Sequence, residues 1–79
     1  MKLTIEFMGS LRRPKDLDRL ATIELPDNCT LKNLLRFLEY TDNEIRVLMA
    51  FKTDGSKINL KDVLYDGQSI FITIPIGGG

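Results

Sequence analysis

Residues 2–8 alternate polar and apolar, with Leu3, Ile5 and Phe7 on one side and Lys2, Thr4 and Glu6 on the other, which is the period of a half-buried strand. A second alternating run covers 19–25, where Ala21, Ile23 and Leu25 oppose Leu20, Thr22 and Glu24. A hairpin is the simplest pairing of the two. Between them, residues 9–18 hold Gly9, Ser10, Pro14, five charges and two leucines, and read as a connecting loop. The period then changes: Leu31, Leu34, Leu35 and Leu38 recur at three and four, predicting a helix over 31–40. Pro26, Asp27 and Asn28 break the preceding strand, Thr30 stands at the cap position, and Thr41, Asp42 and Asn43 end the helix near Tyr40 by competing for backbone hydrogen bonds. A helix of about ten residues does not persist alone in water, so its leucine stripe must dock.

Residues 45–52 predict a third strand, with Ile45, Val47, Met49 and Phe51 alternating against Arg46, Leu48, Ala50 and Lys52. Asp54-Gly55 supplies a tight turn, 57–59 a short return strand, 60–64 a brief turn, and Asp66-Gly67 a second reversal. The last strand, 69–76, sets Ile70, Ile72, Ile74 and Ile76 against Ser69, Phe71, Thr73 and Pro75. One apolar helix stripe matching one apolar sheet face defines a two-layer α+β domain over 1–76, with the helix across a mixed sheet of four or five strands. If Leu3, Ile5, Ile70, Ile72, Val47 and Met49 face the helix, alternation sends Met8, Leu48, Ala50, Phe71 and Pro75 to the open side. There they form a candidate partner-docking patch, with Phe71 and Leu48 as its anchors.

Composition narrows the chemistry. Seventy-nine residues hold one domain, and eleven Lys plus Arg against eleven Asp plus Glu give no support for nucleic-acid binding. Histidine is absent, which removes His-based triads and His-ligated metals; the single Cys29 provides neither an internal disulfide nor a zinc cluster. No apolar run approaches the roughly 20 residues of a membrane span, and charges at Lys2 and Glu6 interrupt the position of a signal-peptide core. A cytoplasmic protein without catalysis of its own is expected. The remaining chemistry lies at the end: Gly77, Gly78 and Gly79 follow a β-branched strand and form a flexible tail, 77–79, without side chains. Extended, it carries a carboxylate about 10 Å, thin enough for a narrow channel in a partner.

The segments Leu3-Thr-Ile-Glu-Phe-Met-Gly-Ser-Leu-Arg12 and Leu25-Pro-Asp-Asn-Cys-Thr-Leu-Lys-Asn-Leu-Leu35, Asp66-Gly67, and Pro75-Ile-Gly-Gly-Gly79 resemble the MoaD/ThiS sulfur carriers and the related small archaeal modifiers. The resemblance covers essentially the whole chain and implies the ubiquitin-like β-grasp fold. It further implies that an E1-like adenylating enzyme, using ATP and Mg, activates Gly79 while Gly77 and Gly78 thread its active site; the chain itself binds no cofactor. The implied product is a thiocarboxylate, formed from a sulfur donor and passed to a sulfur-accepting enzyme such as the molybdopterin synthase large subunit, or to thiamine or tRNA thiolation. The alternative is an isopeptide bond from Gly79 to lysines of target proteins.

Overall fold

The structure is a computed structural model that describes residues 1–75. Ile76 and the expected tail Gly77, Gly78 and Gly79 lie outside the described residues. The chain forms, in order, β1 (Lys2–Phe7), β2 (Leu20–Glu24), α1 (Leu31–Phe37), α2 (Asp42–Val47), β3 (Met49–Phe51), β4 (Lys57–Ile58) and β5 (Ser69–Thr73), with a single 3-10 turn at Pro14–Asp16. All five strands join one sheet in the order β2-β1-β5-β3-β4. β1 and β5 are parallel at its centre, with Ile5 opposite Ile70 and Phe7 opposite Ile72; the other pairings are antiparallel.

A parallel pair cannot be closed by a hairpin, so the chain must cross over between its members, and it does so through α1. The alternation in β1 and β5 then does what it predicts. Leu3, Ile5, Phe7, Ile70 and Ile72 are buried on one face, and Leu31, Leu34, Leu35 and Leu38 from α1 complete the same core with Ile23, Ile58 and Leu64. Each fully buried aliphatic contributes about 1.5–3 kcal/mol, which is what holds so short a helix in place. Turns fall where the Asp-Gly pairs predict them: Gly55 and Gly67 have φ of 87° and 83°, values open to glycine without a Cβ clash.

Both ends of α1 follow from local chemistry. The Thr30 hydroxyl accepts from the Asn33 N–H at 3.2 Å, and the Asn33 side chain accepts from the Thr30 N–H at 2.9 Å, a reciprocal cap. At the other end the Tyr40 N–H donates to the Leu35 carbonyl and the Glu39 N–H to that of Arg36, a Schellman closure that puts Glu39 at φ 65°. The helix is shorter than the expected 31–40 because this closure starts at Leu38.

The expected third strand over 45–52 is corrected. Residues 42–47 form α2, and of the expected segment Met49–Phe51 alone join the sheet. The reason is a second reciprocal cap: the Thr41 hydroxyl accepts from the Glu44 N–H at 3.1 Å while Glu44 Oε1 accepts from the Thr41 N–H at 2.9 Å. The polar run 41–43 that ends one helix therefore starts another. Inserting this turn reverses the parity assigned to the segment. Ala50 pairs with Ile72 and Ile58, inward-facing residues both, and is 1% exposed, so it belongs to the core and not to the open face. Leu48 ends α2 half-buried against that same core, Met49 does not face α1, and Val47 is 54% exposed.

Two substitutions check this geometry by urea unfolding. Ala50→Leu overpacks the core and lowers stability by about 1–3 kcal/mol, whereas an open-face Ala50 would tolerate leucine with little change. Glu39→Gly relieves a left-handed non-glycine residue and raises stability by up to about 1 kcal/mol; no gain would count against the Schellman closure.

Candidate functional site: the open sheet face and the departure from β5

The face turned away from α1 is organised in rows set by the register. Leu20, Glu6, Phe71, Phe51 and Lys57 are successive cross-strand neighbours and form one row across all five strands. Thr73 and Met49 pair in the next row, and Met8, whose N–H donates to the Ile72 carbonyl at 2.8 Å, leaves β1 beside them. Phe71 and Phe51 are directly opposite in an antiparallel pair, an arrangement in which aromatic side chains contribute about 0.2–1 kcal/mol by mutual contact. Phe51, Phe71, Met49 and Met8 are all half-buried, so the face has an apolar centre between a carboxylate, Glu6, and an ammonium, Lys57. A shallow depression of about 110 Å³ lies at one side of Phe71, bordered by Thr4, Glu6, Leu20 and Thr53.

Of the residues expected here, Phe71 and Met8 share the open face and Pro75 is exposed two positions beyond β5. Ala50 and Leu48 are elsewhere, for the reason given above. Met49 and Phe51 take their places, and sequence reasoning misses them through the parity error. A signal was present: Thr41-Asp-Asn-Glu44 is a capping box, and reading it would have moved the strand start past Val47.

Because β1 and β5 run parallel, the chain leaves β5 at the same sheet edge where β1 enters the loop 8–19. That loop is pinned. Arg12 donates to Glu44 Oε1 at 2.6 Å and Oε2 at 2.9 Å, and its guanidinium lies 5.3 Å from the Tyr40 ring centre. The Tyr40 hydroxyl donates to the Arg12 carbonyl at 2.7 Å. The Arg12 hydrogen bond, aided by the Thr41 N–H, pulls the Glu44 carboxyl down to about 2, while burial pushes the Tyr40 phenol up to about 12, so it stays a donor. The held loop frames a cavity of about 380 Å³ bordered by Phe7, Gly9, Ser10, Leu11, Arg13 and Arg19, two of them cations.

Among the described residues no group of three or more His, Cys, Asp or Glu is placed to hold a metal ion, and no helix is long and apolar enough to cross a membrane. Cys29 is half-buried against the core, and its carbonyl accepts from the Leu64 N–H at 2.8 Å.

A five-stranded mixed sheet with a central parallel pair and one main helix crossing its face is the ubiquitin-like β-grasp fold. The structure matches over its full length the crystal structure of SAMP1 from Haloferax volcanii, with a TM-score of 0.70, 12% sequence identity and 100% of both chains covered. No family model and no curated protein matches the sequence.

The Arg12–Glu44 pair sets an acid dependence. A carboxyl depressed from 4.5 to about 2 adds stability that is complete above its ordinary value and is lost as pH falls toward 2. Glu44→Gln lowers the urea midpoint at pH 6 and leaves that at pH 2 close to the parent's; a uniform loss at both pH values would mean the pair is not the cause.

Proposed function

We propose that this chain is a ubiquitin-like carrier whose working group is the carboxylate of Gly79, presented to an E1-like enzyme by the β-grasp body. The observation that supports it most is the run of the chain: β5, held on both sides by β1 and β3, passes through exposed Pro75 directly into a sequence of Ile76 and three glycines. A strand fixed at the centre of the sheet is a firm base from which to present a segment lacking side chains. The unit divides at 76 into a body, 1–76, and a tail, 77–79, which Gly77 and Gly78 make narrow enough to enter the partner's active site.

The chemistry follows from the carboxylate's weakness as an electrophile. Attack of the Gly79 carboxylate on the α-phosphorus of ATP, with Mg held by the enzyme, expels pyrophosphate and gives an acyl-adenylate. A hydrosulfide-level sulfur nucleophile then adds to the acyl carbon and expels AMP, leaving a thiocarboxylate for molybdopterin, thiamine or tRNA thiolation. The carrier itself does no catalysis. The open face beside the end of β5 docks the enzyme, with Phe71 and Phe51 as aromatic anchors, Met8 and Met49 as adaptable neighbours, and Pro75 beyond the strand. The resemblance of the sequence to small archaeal modifiers, together with the full-length likeness in fold to SAMP1, supports a second outcome for the same adenylate: displacement of AMP by a lysine ε-amine to form an isopeptide bond.

Mass spectrometry of the protein from its source separates the two, since sulfur in place of one oxygen at Gly79 marks the carrier and a Gly-Gly remnant on other proteins' lysines marks the modifier. Deleting Gly78 and Gly79 abolishes both; a shortened chain that still supports growth and forms adenylate overturns the proposal. Phe51→Ser with Phe71→Ser weakens capture by the activating enzyme about 30-fold or more, as loss of about 2 kcal/mol at buried anchors requires. Val63→Ser, at an exposed position outside the sheet, leaves capture unchanged.

A further inference from the structure

A second surface lies at the β4 edge on the helix side of the sheet. Two cavities of about 500 Å³ and 250 Å³ adjoin there, sharing Ile45, Arg46 and Leu60, and together they form a trough between the helices and the turn 57–62. Its apolar floor comes from Ile45, Leu48, Ile58 and Leu60. Its cations are Lys32, Arg36, Arg46 and Lys61, four of the chain's eleven, against only Asp42 and Asp62 of its eleven anions. Asp42 already pairs at 3.9 Å with Arg36, and the Asp62 carboxylate accepts from the Asn59 N–H at 2.8 Å. Among the described residues Lys32, Arg46 and Lys61 make no ion pair.

The trough is built before anything occupies it. The Leu31 N–H donates to the Asp62 carbonyl and the Lys32 N–H to the Leu60 carbonyl, each at 3.1 Å, so the first turn of α1 is tied to the opposite wall. The second wall is fixed by the reciprocal cap of α2. Walls set by backbone hydrogen bonds spare a ligand the cost of ordering them.

We infer that this trough binds an acidic peptide segment of a partner protein, one that places Leu, Ile or Val on the floor between flanking Asp or Glu residues. The charge pattern selects the occupant. The chain is neutral overall, so the surface outside the trough is net acidic and repels an extended polyanion, and no aromatic side chain lines the trough to stack a base. A short acidic segment meets only the basic walls, and its aliphatic residue covers the apolar floor. The site lies apart from the open face, which leaves Phe71 and Phe51 free for a different partner.

The test is selection of a random 12-residue peptide library on the folded full-length chain, followed by amide-shift mapping of the enriched peptides by NMR. Expected are sequences with at least two acids around an aliphatic residue, shifts at residues 31–36, 45–48 and 58–62, and an affinity at least tenfold weaker for Arg46→Glu with Lys61→Glu. Both substituted side chains are exposed, and an unchanged amide spectrum elsewhere confirms the variant's fold. Absence of any enriched peptide, enrichment without acids, shifts on the open face, or tighter binding of a single-stranded RNA oligonucleotide at the same amides overturns the assignment. Adenylation of Gly79 is read separately, so its failure and that of the trough are distinguishable.

Discussion

The parallel pairing of β1 with β5 is the constraint from which the rest follows. Parallel neighbours need a crossover, and the residues between β2 and β5 supply one that must lie on a single face of the sheet. That face becomes the core, because Leu3, Ile5, Phe7, Ile70 and Ile72 all point there and α1 brings its leucines to meet them. The other face is left uncovered. The same pairing brings the C-terminal ends of both strands to one edge, so the departure from β5 and the loop pinned by Arg12 are neighbours by topology.

The same constraint divides the surface. On the open side, half-buried Phe51 and Phe71 cost little to cover with a partner, since aromatic faces are amphipathic enough to rest beside water and still bury area on contact. On the helix side the chain concentrates cations over a small aliphatic floor. Two faces of opposite character on so small a body keep the proposed docking of an activating enzyme and the proposed binding of an acidic peptide apart. The short helices are kept firm by reciprocal caps and not by length, so neither surface depends on a long element.

Most of the architecture is legible because period and turn chemistry agree. The strands 2–8 and 19–25, the leucine helix with its Thr30 cap, the Asp-Gly turns and the isoleucine strand all form close to where the residues place them. The segment 41–52 is the exception. There Thr41, Asp42 and Asn43 serve equally as the end of one helix and the start of the next, and alternation in Ile45, Val47, Met49 and Phe51 fits a strand as well as it fits an amphipathic turn. Only the pairing of Ala50 between Ile72 and Ile58 fixes which parity is real, and a shift of one residue exchanges the faces, so the candidate site loses Ala50 and Leu48 and gains Met49 and Phe51.

By itself the sequence determined the α+β class, the inward set of β1, β5 and α1, the absence of histidine chemistry, and the placing of three glycines after the last strand. These are properties of order and composition along the chain. Tertiary structure alone decided the strand order, the row that joins Leu20 to Lys57 across five strands, and the gathering of Lys32, Arg36, Arg46 and Lys61 around one trough. Glu6 and Phe71, 65 positions apart, meet in that row, and no local period encodes such a contact, because it arises only when burial of the common core forces distant segments into register.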